Sequence, residues 1–499
     1  MDGELKRWAG GESTKVANLV TTAQLWDIHP DGRRLYYHAE GDIYRFDLKQ
    51  MSHSLIVRTP GLWFPSIVAG ICPDGSQIVY ASRTNTRITV TLEALHGPEQ
   101  RPLNINDSGS DVLPKDWSQD GQKLLLHDNP EPFGTRAGIY DIATDTINWL
   151  DTTEDLIPIC FVQVNDQTKI LVQNDISPTE RTAAVFDRDG TVRDLPIDGT
   201  VRYDHTSTDT VRTGPSTVIV PRETWTRPQE LVTCELQAEG ADPDLLVGAG
   251  TDDVDAVAPP RRVTVDDERG PDISGYLFDS GQRPSPVLVK VYSARPSWGN
   301  YFRPYLIDLL SEGYSVFMPE YFYTENPLFD ENEHEAYATA GAWIASQDWT
   351  DADRLGVIGH SHGGYNAVMQ LVRNPDLWTA GVASAPVVDL FTHHEQKERS
   401  SYIEHELGDP TEHEHQWQEQ NPRSHVAALE APLLLLYGSD DQNVTDVEMG
   451  RFRAALRASG FEEGIDYEYC ELDHGHSPET YEENVRYWRA ISEFLDRRM

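Results

Sequence analysis

One pentapeptide in this chain combines residue types that can do covalent chemistry: Gly359-His360-Ser361-His362-Gly363, a G-x-S-x-G. Glycines on both sides of a serine allow a sharp strand-to-helix turn that leaves the hydroxyl exposed above a sheet. The apolar run at 355–358 supplies the strand, and the helical pattern at 364–373 supplies the helix. Such a turn aims the helix N-terminus, with its unpaired backbone N–H groups, at the reacting centre. Ser361 is therefore a candidate nucleophile, and the N–H of His362 is a candidate half of an oxyanion hole. A glycine-rich turn whose serine only caps the helix would carry the same letters, so other residues must decide.

A nucleophilic serine needs a base, and the base needs an acid. In a strand-turn-helix setting the acid follows a later strand and the histidine a still later one. Both requirements are met. The strand pattern at 433–437 runs into Gly438-Ser439-Asp440-Asp441, and that at 467–472 runs into Asp473-His474-Gly475-His476. An imidazole can take the serine proton and return it to the leaving group, while a carboxylate fixes its tautomer and stabilises the imidazolium. On order and position alone, Asp440 and Asp441 both qualify, as do His474 and His476.

The elements around these residues read as two architectures. From 263 onward, strands and helices alternate: strands near 263–265, 273–278, 287–292, 314–318, 355–359, 381–385, 433–437 and 467–472, with helices near 301–310, 335–346, 364–373 and 446–458. A last helix shows the apolar stripe Tyr481, Val485, Trp488, Ile491 and Leu495. This alternation predicts a mostly parallel, doubly covered sheet, in which catalytic groups gather at the carboxyl ends of the strands.

The first half repeats itself instead. Turn signals Asp31-Gly32, Asp74-Gly75, Asp120-Gly121 and Asn165-Asp166 each precede an apolar strand, at intervals of 43, 46 and 46 residues, with a degenerate fifth copy at Thr213-Gly214-Pro215. A period in the forties holding about four short strands predicts an all-β propeller of about five blades. The expected domains are a propeller over 1–240, an acidic Gly/Pro-rich linker over 241–260 and a catalytic domain over 261–499.

Composition narrows the partners. The 499 residues hold 82 acidic and 41 basic side chains, a net charge of −41, with only 8 lysines. Such a surface repels nucleic acid and anionic membranes, and it folds most easily where concentrated salt screens it. The composition resembles that of salt-in halophile proteins. Cys72, Cys160, Cys234 and Cys470 lie far apart with no C-x-x-C pair, so free thiols are expected, with no disulfide framework or zinc knuckle. The absence of an apolar leader or spanning segment predicts a cytoplasmic protein. The histidines His393, His394, His405, His413 and His415 sit among Glu and Gln; we expect a solvated cap there, with no metal and no cofactor.

Gly359-His360-Ser361-His362-Gly363-Gly364-Tyr365, preceded by Asp351-Ala352-Asp353-Arg354, resembles the nucleophile segment of the prolyl oligopeptidase family of serine peptidases, acylaminoacyl peptidases included. Glu406-Leu407-Gly408-Asp409-Pro410, Asn421-Pro422 and Ala431-Pro432 are similar to further stretches of that family, and a propeller ahead of an α/β-hydrolase domain is its domain order. The resemblance implies Asp441 as the acid, three residues after a glycine, and His476 as the base, following a glycine. It also implies a propeller that covers the active site and admits short peptides. Two segments depart from the pattern. Acylaminoacyl peptidase relatives carry H-G-G-P where this chain has Tyr292-Ser293-Ala294-Arg295-Pro296; prolyl oligopeptidase itself has a tyrosine there, so the resemblance implies the Tyr292 hydroxyl as a candidate second oxyanion donor, with the backbone N–H of Ser293 or Ala294 behind it. Many carry R-G-S where this chain has Glu320-Tyr321-Phe322-Tyr323-Thr324. The aromatics Trp298, Tyr301, Phe302, Tyr321, Phe322 and Tyr323 fit either a substrate pocket or ordinary packing.

The expected protein is thus a serine peptidase acting on short peptides through Ser361, Asp441 and His476, with His362 and Tyr292 at the oxyanion hole. A carboxylesterase uses the same machinery, a binding scaffold is the non-enzymatic alternative, and an oligomer is compatible with the sequence. Raising KCl from 0.1 M to 2 M should raise the melting temperature, as calorimetry will read; a fall would contradict the halophile reading.

Overall fold

A computed structural model describes residues 4–9, 12–18, 24–39, 42–58, 69–84, 87–105, 112–128, 136–150, 156–177, 180–187, 190–201, 216–237, 242–248, 258–266, 272–291, 302–320, 328–396 and 401–499. The chain forms two units, one of Met1–Thr224 with Pro228–Gly250, the other of Trp225–Arg227 with Thr251–Met499.

The first unit is a five-bladed β-propeller preceded by a hairpin of Glu4–Ala9 and Glu12–Asn18. Its blades are four-stranded meanders over 24–58, 70–102, 113–149, 156–194 and 200–247. The Asp-Gly signals form the turns between the first and second strands of the first three blades. Gly32, Gly75 and Gly121 sit at φ 65°, 74° and 67°, and their N–H groups donate to the carbonyls of His29, Cys72 and Ser118. In the fourth blade Asn165 and Asp166 both take positive φ, 51° and 61°, as a tight hairpin turn requires. Thr213-Gly214-Pro215 lies outside the described residues.

A second regularity was invisible in the repeat. The first strands of blades one, three and four each shift register at one place, between Leu25 and Asp27, Pro114 and Asp116, and Pro158 and Cys160. In the first and third blades an aspartate at the shift reaches the next blade. Asp27 Oδ2 accepts the Ile71 N–H at 2.8 Å, and Asp116 Oδ2 accepts the Phe161 N–H at 2.8 Å. Bulges re-aim side chains, and here they tie neighbouring blades through buried hydrogen bonds.

The stretch read as linker contains a strand. Asp244–Val247 pairs with Arg227–Glu235 as the outer edge of the fifth blade. Its acidic, Gly-rich flanks masked the short run Leu245-Leu246-Val247, which stays exposed and shows no burial pattern to read.

The second unit is an α/β-hydrolase domain built on one eight-stranded sheet. Its strands are β1 (Arg261–Val265), β2 (Ile273–Phe278), β3 (Ser285–Val291), β4 (Ser315–Pro319), β5 (Thr350–His360), β6 (Ala380–Ser384), β7 (Leu433–Gly438) and β8 (Tyr467–Leu472). They lie in the order β1-β2-β4-β3-β5-β6-β7-β8, antiparallel for the first two pairings and parallel for the rest. The helices are α1 (Pro304–Ser311), α2 (Glu331–Ala345), α3 (His362–Arg373), α4 (Leu390–Gln396), α5 (Ser401–Leu407), α6 (Glu414–Gln420), α7 (Asp446–Ala458) and α8 (Tyr481–Arg498).

Side-chain alternation makes two cores. Leu433 and Leu435 point into a layer with Tyr337, Tyr365, Met449 and Phe452 from α2, α3 and α7. Leu434 and Leu436 point into the opposite layer, with Leu306, Leu309, Ile491 and Phe494 from α1 and α8. A strand buried on both faces cannot slip register without exposing apolar area on one side and burying misfits on the other. The strand ends that carry Ser361, Asp441 and His476 are therefore placed by the core.

One boundary differs at α2, which begins at Glu331 rather than near 335. Asp330 caps it by accepting the Asn332 N–H at 2.5 Å. The polar run Glu331-Asn332-Glu333-His334-Glu335 hid this first turn, because its apolar periodicity starts only at Ala336. Leu435→Ala should lower unfolding free energy by about 2–5 kcal/mol, read by denaturation at fixed salt. A change below about 1 kcal/mol would contradict the two-sided core.

Candidate active site

Ser361 sits at φ 58° and ψ −118°, outside the regions that non-glycine residues favour. Holding such a residue there costs on the order of 1–3 kcal/mol, which its surroundings must offset. Two close approaches show how. A Cβ on Gly359 would lie 1.9 Å from the Gly363 carbonyl oxygen, and one on Gly364 would lie 2.8 Å from the Ser384 carbonyl oxygen. The chain can fold back on itself only because both positions lack side chains. The Ser361 N–H donates to the Ser384 carbonyl at 2.8 Å, and the Ser361 carbonyl accepts from Tyr365 N–H at 2.9 Å as α3 begins.

The loops after β7 and β8 meet this turn. Gly438 is close enough to the β8 loop that a Cβ there would fall 2.1 Å from the Gly475 carbonyl oxygen. Backbone N–H groups of Ser439 and Asp440 donate to the carbonyls of Leu472 and His474, at 2.8 and 3.1 Å. This zipper sets the two loops in register. His476 Nε2 lies 2.9 Å from Ser361 Oγ, and His476 Nδ1 lies 2.8 Å from Asp441 Oδ2. The other carboxylate oxygen of Asp441 accepts N–H groups from Asn443 and Val444, at 2.6 and 3.0 Å. Burial alone would push the Asp441 carboxyl up, but the bond to His476, its charge and these N–H groups outweigh burial and hold it below the usual carboxylate range.

Of the remaining candidates, Asp440 is exposed, and His474 turns away, its Nδ1 2.7 Å from the Gly475 carbonyl oxygen and its ring edge-on to Tyr487. His362 is the first residue of α3, so its N–H has no intrahelical acceptor. Tyr292, Trp298, Tyr301 and the segment Tyr321 to Thr324 lie outside the described residues; Phe302 is half-buried. Glu320 directly follows β4, with its carboxyl pushed up to about 7 by burial, although Arg262 lies 3.6 Å away.

Several residues around the turn carried no sequence signal. His360 lies beside His476, ring centroids 4.9 Å apart, with Nδ1 3.2 Å from Ser384 Oγ and Nε2 3.0 Å from Ser477 Oγ. Burial, aided by the neighbouring His476, pushes His360 down to about 3, so it stays neutral. Glu333 lies behind the turn, its Oε1 2.8 Å from His362 Nε2. In the histidine-rich cap, His393 is not solvated as expected. It is buried, with Nδ1 3.0 Å from the buried Glu448, whose other oxygen accepts the N–H groups of Val388 and Asp389. A polar sequence context concealed a buried hydrogen-bonded pair. His394 and His415 contact Glu404 and Glu419, and no cluster of metal-binding type occurs among the described residues. Cys72, Cys160, Cys234 and Cys470 form no disulfide; the first three are buried and Cys470 is half-buried.

Residues 326–499 match the family model described as "Prolyl oligopeptidase family". This segment is a prolyl oligopeptidase family domain. The chain also has sequence relatives. Dipeptidyl peptidase 8 of Mus musculus is 32% identical over 106 residues, covering 20% of this chain and 11% of its own length. Dipeptidyl aminopeptidase BIII of Pseudoxanthomonas mexicana is 26% identical over 195 residues, covering 35% of this chain and 28% of its own. The chain thus aligns with less than a third of either relative. Among solved structures, a Mycobacterium tuberculosis puromycin-hydrolyzing peptidase shares the fold with TM-score 0.72 at 16% identity, over 100% of this chain and 83% of that one. The Pyrococcus horikoshii acylaminoacyl peptidase gives 0.68 at 16% identity, over 98% and 90%. No helix among the described residues is long and apolar enough to cross a membrane.

Asp441 and Glu333 both have folded-state values below their ordinary ones of 3.8 and 4.5, although burial opposes this in each. Their contribution to stability is therefore present above those ordinary values and is lost as pH falls through the lowered folded ones. The melting temperature in constant molar salt should fall steeply below about pH 4, and Asp441→Asn should show a shallower fall. An identical acid limb in that variant would contradict the coupling.

Proposed function

We propose that this chain is a serine peptidase that hydrolyses peptide bonds of short peptides through an acyl-enzyme. The observation that carries the reading is the continuous relay from Ser361 Oγ to His476 to Asp441, at 2.9 and 2.8 Å, with Ser361 at the head of α3. His476 Nε2 takes the Ser361 proton as the hydroxyl attacks the scissile carbonyl, and the Nδ1–H stays on His476, donating to Asp441. The negative charge that develops on the carbonyl oxygen faces the His362 N–H, one donor of the hole; Tyr292 is the proposed second. His476 then delivers its proton to the leaving amine, which departs. Water, deprotonated by the same imidazole, releases the acyl group and returns Ser361 to its free form. Every proton removed is returned, so no cofactor is required.

The named activities of its relatives, dipeptidyl peptidase and aminopeptidase, support a peptide substrate over a simple ester. An excess of acid over base of 41 charges leaves short peptides, rather than polyanions, as the compatible substrate class.

The test is digestion of a short-peptide library in molar KCl, with mass spectrometry of the products, alongside Ser361→Ala. The wild type should cleave internal or N-terminal amide bonds, and Ser361→Ala should fold normally and lose kcat by about 10⁴-fold or more. Retained cleavage in that variant would sink the assignment. Cleavage of acyl esters with no turnover of matched amides would make the protein a carboxylesterase.

A further inference from the structure

We propose that Glu333 is a positioning residue for the oxyanion hole, acting through His362; the inference rests on the peptidase reading above. Glu333 lies in the first turn of α2 and is fully buried, 29 residues before the helix it holds. Its Oε1 accepts from two side chains of α3, His362 Nε2 at 2.8 Å and Asn366 Nδ2 at 2.8 Å. These residues are one turn apart, so a single oxygen pins the opening turn of α3 at both ends. Its Oε2 accepts the Phe329 N–H at 3.1 Å. The Phe329 ring then meets His362 edge-on at 4.7 Å and Tyr365 at 4.9 Å. The His362 ring is thereby held from two sides while its own backbone N–H is left for the substrate.

The donor set calls for an anion. Three N–H groups converge on the carboxylate, and burial, which would push it up, is outweighed by His362, His334 and the Asn366 amide, so it stays ionised. A glutamine cannot replace it cleanly. With its oxygen toward His362 and Asn366, its NH₂ faces the Phe329 N–H; flipped, it faces the other two donors.

Charge alone makes the opposite prediction from position. A carboxylate near the head of α3 opposes a developing oxyanion, so removing its charge should assist the reaction if position did not matter. If Glu333 instead aims the His362 N–H, its loss lowers the rate of the step that forms the tetrahedral adduct and leaves ground-state binding alone.

The test compares Glu333→Gln, His362→Gln and His362→Met with wild type in molar KCl. The readouts are kcat and KM per active site titrated with a fluorophosphonate, and the inhibition constant of a peptide aldehyde, which binds as a tetrahedral adduct. Glu333→Gln should lose about 10-fold or more in kcat, weaken the aldehyde by a similar factor and leave KM within about 3-fold. His362→Met should lose as Glu333→Gln does, whereas His362→Gln, whose side-chain amide can still donate to Oε1, should keep several-fold more kcat than His362→Met. An unchanged or raised kcat in Glu333→Gln overturns the inference, as does a loss of kcat with unaltered aldehyde affinity. Should Glu333→Gln fail to fold, indistinguishable His362→Gln and His362→Met variants overturn it equally. A wild type that neither labels nor cleaves would instead remove the peptidase reading.

Discussion

Everything in the prolyl oligopeptidase domain depends on one tight backbone crossing, where the Gly359 α-carbon lies against the Gly363 carbonyl. That crossing forces Ser361 into positive φ, turns its hydroxyl out of the sheet and starts α3 immediately behind it. The conformation is unfavourable for serine in isolation, so it persists only where neighbours over-determine it. Here the Ser384 carbonyl takes the Ser361 N–H, and Gly364 lets α3 lie against that same carbonyl. Exposure of the proposed nucleophile and placement of the proposed oxyanion donor His362 are two results of a single turn.

The turn is useful only if its partners arrive at fixed places, and the two cores provide this. Alternate leucines of β7 face opposite layers, so its end, and with it Asp441, has one register. The β7 and β8 loops then set each other through backbone hydrogen bonds, which carries His476 to the serine. Buried polar groups form a further shell: Glu333 behind His362, Glu448 beneath the cap, and neutral His360 between Ser384 and Ser477. Their side chains are paired, which favours one arrangement over near alternatives.

Much of this was legible in the sequence because it rests on local chemistry. Asp-Gly and Asn-Asp turns need particular φ values, and a run such as 433–437 fits only a strand covered on both faces. The nucleophile motif is likewise local, since its glycines answer a steric demand within five residues. Choosing Asp441 and His476 over equally titratable neighbours took the resemblance to a family, because composition does not tell which carboxylate faces inward. Three features escaped for one shared reason. Glu333 and His393 are polar residues in polar runs, and their burial is decided by helices distant in sequence; the edge strand Asp244–Val247 sits in an acidic, glycine-rich stretch and forms by pairing rather than by burial. Periodicity reports apolar faces and is silent about polar groups that tertiary contacts enclose.

Ser361 is the proposed activated serine, and covalent labelling tests that assignment most directly. The protein in molar KCl is treated with a fluorophosphonate, digested and mapped by mass spectrometry, with and without a saturating short peptide. The account predicts a single adduct on Ser361, slowed by the peptide and abolished by acid unfolding before treatment. An adduct on another serine, or none at Ser361 in folded protein, would contradict it.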